Sequence, residues 1–184
     1  MHLNDFIETL NEWGQQRVPF LFLVDYEMKK PKAWKLSNVD SSEILYSFHG
    51  ITNAQSGLED NHSLCFQIEQ PDLTAYEKKF QQVMNHLNRG DTFLANLTDR
   101  TSIHINASIK DLFYLSQARY KIWYRDEFVV FSPEIFIQIR DQRIYSFPMK
   151  GTIDASIPNA THIILSNEKE MAEHVTIVDL IRND

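Results

Sequence analysis

The sequence predicts an α+β fold of antiparallel sheets with flanking helices. Two observations carry that prediction. Four short apolar runs between residues 121 and 147 are separated by turn-sized polar gaps, two of them around Asp126 and Asp141. Strands joined that closely pair antiparallel. Segments of helical period stand before, between and after the strand runs and do not alternate with them one for one, which disfavours a doubly wound sheet.

Taken in order, Leu3, Phe6, Ile7, Leu10 and Trp13 recur at helical spacing, and Gly14 is the expected stop. Phe20 to Val24 is a continuous apolar run after Pro19 and reads as a buried strand. Glu43 to Phe48 reads as another, ended by Gly50. Residues 51–61 are polar, contain Gly57 and have no period, so a loop is expected. Leu64 to Ile68 returns to strand, with Cys65 expected as a packed small side chain.

Thr74 and Glu77 have the spacing of a capping box, in which each side chain satisfies a free backbone N–H. Tyr76, Phe80, Val83, Met84 and Leu87 continue as a helical stripe, and Gly90 fits the C-terminal cap. Thr92 to Ile105 is strand-like. Ser108 opens a short helix with Leu112, Phe113 and Leu115. Lys121–Tyr124, Phe128–Phe131, Ile135–Ile139 and Arg143–Phe147 are the closely spaced strands. Asn167 with Glu170 makes a second capping pair and starts the last helix.

Composition narrows the function classes. A hydrophobic fraction of 43% in 184 residues suits a folded chain. Charges are mixed, 25 acidic against 18 basic, with no Lys/Arg stripe, which argues against nucleic-acid binding. Lys29, Lys30 and Lys32 read as a solvated turn. Cys65 is the one cysteine, so no intrachain disulfide forms, in keeping with a reducing cytoplasm. The start lacks a signal-peptide pattern, and the apolar run Phe20–Val24 is far short of the ~20 residues that span a bilayer. No membrane association is expected.

Two places could carry chemistry. Glu170 and Glu173 lie three apart, hence on one helical face. Paired carboxylates repel unless a cation sits between them, and hard oxygen donors of this kind suit Mg²⁺. The plainer reading is a solvated face with Lys169 as counter-charge. Lys150 lies in Pro148-Met149-Lys150-Gly151-Thr152. A desolvated lysine there could act as nucleophile or base; a bland loop lysine is the alternative. The seven histidines have no metal-ligand spacing, and no phosphate-binding, dinucleotide or zinc motif is present.

The motifs carry more weight as an ordered set. Gly90-Asp-Thr-Phe-Leu-Ala-Asn-Leu-Thr98, Ser132-Pro-Glu134, Pro148-Met-Lys-Gly-Thr152, Glu168-Lys-Glu-Met-Ala-Glu-His174 and Val178-Asp-Leu-Ile-Arg-Asn-Asp184 together resemble the chorismate-binding enzymes. That family includes aminodeoxychorismate, anthranilate, isochorismate and salicylate synthases. The resemblance covers about residues 72–184 as the first half of the catalytic domain, and more weakly residues 1–71 as the N-terminal region of component I proteins. It implies the N-terminal half of the α/β sandwich of anthranilate synthase component I.

By the same resemblance, Glu173 is a Mg²⁺ ligand and Glu170 its acidic neighbour in the metal and substrate site. Lys150 is the nucleophile on the chorismate ring, with Gly151 and Thr152 at the substrate. Anthranilate synthases usually have alanine at the lysine position. Water-activating members carry a general-base lysine where this sequence has Leu94, so that chemistry is disfavoured. Both positions point to the branch that makes 4-amino-4-deoxychorismate for p-aminobenzoate and folate, with a glutamine amidotransferase subunit supplying ammonia. Anthranilate formation is the alternative within the family.

Family members continue with a Gly-Ala-Pro-Lys motif, glycine-rich carboxylate-binding loops and a second metal-binding glutamate, which this sequence does not include. The chain is therefore expected to be a truncated, inactive part of the catalytic domain. A further alternative is a non-catalytic fragment that self-associates through sheet edges.

Overall fold

The computed structural model describes residues 1–55, 63–148 and 152–183. The fold is α+β, as the sequence predicts, and its packed part is layered on both faces of one antiparallel sheet. Helix α1 (Leu3–Gln15) leads into a ribbon of β1 (Phe20–Leu23) and β2 (Lys32–Lys35). A four-stranded sheet follows, in the order β4 (Ile51–Thr52), β3 (Ile44–Phe48), β7 (Tyr120–Tyr124), β8 (Phe128–Ser132). Helix α3 (Ile109–Leu115) covers its other face.

Strand alternation explains the layers. On β3 and β7, Ile44, Tyr46, Ile122 and Tyr124 face one side, where they meet Leu21 and Trp34 of the ribbon. Leu45 and Trp123 face the other side and pack on Phe113 of α3. Both faces are covered, so the middle of the sheet is buried throughout. Helix α1 adds an outer layer, with Phe6 against Phe22 at 6.0 Å between ring centroids and Trp13 against Phe20 at 5.8 Å.

Polar groups tie this unit together. Lys121 Nζ donates to the carbonyls of Phe113 at 2.6 Å and Ser116 at 2.7 Å, satisfying the C-terminal end of α3. Partial burial of the ammonium lowers its pKa. Asn53 lies beside β3, past the end of β4. Its side-chain oxygen accepts from the Tyr46 N–H at 2.9 Å, and its amide donates to the Ile44 carbonyl at 2.8 Å.

The remaining elements are less covered. Helix α2 (Leu73–Arg89), the ribbon of β5 (Phe66–Ile68) with β6 (Ile103–Ile105), the hairpin of β9 (Gln138–Arg140) with β10 (Arg143–Tyr145), and helices α4 (Ala160–Leu165) and α5 (Glu168–Asn183) contain no fully buried residue. The sheet pairs β3 with β7 and so joins residues on both sides of position 71.

Several local expectations are revised. Helix α2 starts two residues earlier than a Thr74 cap requires. Asp72 caps it by accepting from the Ala75 N–H at 3.1 Å, because an aspartate just after Pro71 stops the chain first. Gly90 closes the helix at φ 79, as expected. Helix α1 runs through Gly14 to Gln15, and Arg17 takes the left-handed turn at φ 55. Of the strand-like stretch Thr92–Ile105 only β6 pairs, since β5 is just long enough to partner three residues. Cys65 is exposed, not packed: its N–H is bound by Asn106 Oδ1 at 2.8 Å, and no layer covers its side chain. The expected loop at 51–61 opens with strand β4, and residues 56–62 lie outside the described residues. Among the described residues no helix is long and apolar enough to cross a membrane.

Candidate functional site

The ordered motifs converge on helix α5. Asn167 starts it by accepting from the Glu170 N–H at 3.1 Å, which is the cap its sequence predicts. The helix then carries the two motif carboxylates in its first two turns and the Val-Asp-Leu-Ile-Arg segment beyond them.

Two clefts open along the second half of α5. One, of about 820 Å³, lies between Asp91, Thr92, Phe93 and Leu94 on one side and Val175, Thr176, Asp179 and Leu180 on the other. Its first wall is held in place locally. His86 Nδ1 lies 2.7 Å from Asp91 Oδ2, and the Thr92 hydroxyl donates to the Leu94 carbonyl at 3.0 Å. The other cleft, of about 670 Å³, brings Ser132 and Glu134 together with Pro148, Ile177 and Ile181. Here the Ser132 hydroxyl accepts from the Glu134 N–H at 3.2 Å and donates to the Glu134 carbonyl at 2.8 Å, folding Ser-Pro-Glu into a tight turn. Motifs some 40 residues apart, at Asp91–Leu94 and Ser132–Glu134, thus share one helix as a common wall.

Glu170 and Glu173 stand on one face of α5, as their spacing requires. Lys169 Nζ lies 4.0 Å from Glu170 Oε1 and 3.7 Å from Glu173 Oε1, so its ammonium is the cation shared by the pair. Lys169 and Glu173 are exposed and Glu170 is half-buried, and contacts as long as these at the surface are worth ~0–1 kcal/mol and are open to displacement. Two hard oxygen donors fit Mg²⁺, which takes one or two carboxylates and completes its shell with water and substrate oxygens. Among the described residues, no group of three or more His, Cys, Asp or Glu is gathered around a common point. The metal would depend on ligands from elsewhere.

Lys150 and Gly151 lie outside the described residues. Thr152 follows them in an exposed irregular segment and lines neither cleft. Glu173 sits one turn before the cleft-lining Ile177. Asp179 and Thr176 also line a cleft, a role that no sequence pattern assigned to them. Asp179 already holds Arg182 Nη2 at 2.6 Å and the Asn183 amide at 3.3 Å, while the Thr176 hydroxyl bonds back to the Ala172 carbonyl at 2.8 Å. The one signal for Asp179 was its membership of the Val178–Asp184 motif; Thr176 lies two residues before that motif and had none.

Comparison with known proteins agrees with these motifs. The sequence model of one protein family, described as chorismate binding enzyme, matches residues 7–184. An uncharacterised PabA-like protein of Haemophilus influenzae is 41% identical over 99% of this chain and 55% of its own length. Another from Pasteurella multocida is 40% identical over 100% of this chain and 57% of its own length. The chain thus spans about half the length of these curated relatives and corresponds to their N-terminal part. Aminodeoxychorismate synthase component 1 of Klebsiella aerogenes is 32% identical over 59% of the chain and 27% of its own length. No solved structure matches.

Proposed function

Because the chain belongs to the chorismate-binding enzymes, we propose that the whole protein aminates chorismate to 4-amino-4-deoxychorismate. The observation that supports this branch is Lys150 within Pro-Met-Lys-Gly-Thr, together with the absence of a basic group at Leu94. Leu94 faces the α5 cleft, and a leucine there has no atom that can take a proton from water. A nucleophilic amine therefore has to come from another position, and Lys150 offers one.

The reaction divides into two displacements. The neutral Lys150 amine forms a C–N bond to the ring, and the ring hydroxyl leaves as water once it gains a proton. Ammonia then forms its own C–N bond, and the Lys150–carbon bond breaks, which returns the free lysine. The ammonia comes from a glutamine amidotransferase partner. Gly151 and Thr152, next to the lysine in sequence, are assigned to substrate binding by the same motif. Glu170 and Glu173 would hold Mg²⁺, which supplies positive charge opposite a substrate carboxylate. The 184 residues by themselves do not turn over, since relatives of this family are nearly twice as long and positioning alone is worth many kcal/mol.

Anthranilate formation is the second reading. Anthranilate synthase component 1 of Geobacillus stearothermophilus is also 32% identical over 59% of the chain. Product analysis separates the two. With the full-length protein, chorismate, ammonia and Mg²⁺, the expected product is aminodeoxychorismate. Lys150→Ala should lower its formation by at least about a thousandfold. An unchanged rate and product in that variant would remove the nucleophile role, and anthranilate from the wild type would overturn the branch. Aminodeoxychorismate from the purified 184-residue chain would overturn its assignment as inactive.

A further inference from the structure

Two clefts border α5, and amination needs two reactants, a ring and ammonia. The helix tells the clefts apart. Ile177 and Ile181 wall one, while Thr176 and Leu180 wall the other, so by helical period the clefts lie on different faces of α5. Glu173 stands one turn before Ile177 and two turns before Leu180, on the ridge between the two. The Ile177 cleft also takes in Pro148, two residues before Lys150. That is the side on which the lysine and the ring belong.

The other cleft is unsuited to an anionic ring. Among the described residues that line it, none is Lys, Arg or His. Each of its two carboxylates already has a partner: Asp91 Oδ2 lies 2.7 Å from His86 Nδ1, and Asp179 holds Arg182 and the Asn183 amide. What remains is the apolar surface of Phe93, Leu94, Val175 and Leu180 with two threonine hydroxyls. Both hydroxyls have spent their proton on a backbone carbonyl, Thr92 on Leu94 at 3.0 Å and Thr176 on Ala172 at 2.8 Å. Their oxygens therefore remain as acceptors only. A ligand that suits this surface is small, uncharged and supplied with N–H donors.

We propose that the cleft between Asp91–Leu94 and Val175–Leu180 is the approach by which ammonia reaches the ring. Thr92 and Thr176 accept its N–H bonds, and Leu94 limits the size of the amine that passes. Apolar walls disfavour the ammonium ion, and only the neutral form has the lone pair that bonds to carbon. The inference rests on the amination reading but not on which product forms, since both products considered take their nitrogen from ammonia.

The test varies ammonium chloride and chorismate in turn, at fixed pH, with the full-length protein. Thr176→Val keeps the shape and removes one acceptor. It should raise the KM for ammonia about fivefold and leave the KM for chorismate unchanged. Leu94→Ala widens the approach. It should raise kcat/KM for methylamine relative to ammonia about tenfold or more, with the N-methylated product seen by mass. Methylamine forms the same C–N bond, displaces the same lysine and loses one proton, so the chemistry is otherwise unaltered. Tyr26→Ser, fully exposed on the β1–β2 turn, should leave all of these values unchanged. An unchanged KM for ammonia in Thr176→Val, or an equal rise in the KM for chorismate, overturns the proposal. So does unaltered discrimination against methylamine in Leu94→Ala. Either failure in an enzyme that aminates chorismate leaves the amination reading standing, whereas a wild type that takes no ammonia overturns both.

Discussion

At the scale of single residues, the carboxylate pair on α5 gives the sharpest expectation. Lys169 bridges Glu170 and Glu173 through contacts weak enough for a divalent cation to displace. In the full-length protein, Glu173→Gln should raise the Mg²⁺ needed for half-maximal activity about tenfold or more, because the amide keeps the size but loses the charge. Glu168→Gln, five positions away on another face, should change it little. Titrating activity against Mg²⁺ for both variants decides the matter, and equal curves would make Glu173 an ordinary surface residue. The face shared by this pair was legible because helical period fixes it. The meeting of Leu94 with Val175 and Thr176 was not legible, since no local pattern encodes which segment lies against a helix. Cys65 failed for a related reason: alternation assigns a side, but not whether anything covers that side.

At the scale of elements, caps and hairpin turns were readable and partners were not. Ser108 caps α3 in a reciprocal pair with Asp111, as its position suggests. The turns at Arg125–Asp126 and Asp141–Gln142 take positive φ at both residues, and each closes an antiparallel pair. Strand β2 was missed because Lys32-Ala-Trp-Lys35 reads as a basic turn until β1 pairs with it. Helix α4 was missed because it is six residues long and enters through Asn159 at φ 60. The correction at α2 gives a clean test. Asp72→Ala should destabilise the chain by about 1 kcal/mol and Thr74→Ala by clearly less. Chemical denaturation followed by the helical signal measures both, and the reverse ranking would restore the Thr74 cap.

At the scale of the whole molecule, the buried middle of the sheet was legible as apolar runs, while the sharing of its two faces between a ribbon and a helix was not. That sharing depends on β3 pairing with β7, about 75 residues later. Asn53 has a consequence for this sheet as a whole. Its side-chain amide presents one acceptor and one donor to β3, the same pair of groups that a neighbouring strand's backbone would present. It is a one-residue imitation of a strand, placed where β4 runs out. Strand β8, at the opposite border, carries Phe-Val-Val-Phe with no charge or proline and has no strand on its outer side among the described residues. Asn53 therefore closes the length of β3 that the two-residue β4 leaves uncovered, while β8 presents a five-residue edge, so the sheet lengthens more readily at β8 than at the β4 border. Asn53→Ala should cost about 1–3 kcal/mol by stranding the Tyr46 N–H and Ile44 carbonyl. It should also uncover more of the β4 border as a second template, read as faster growth of light scattering on standing. A variant that scatters no faster than the wild type would show that the border is guarded by something other than this amide.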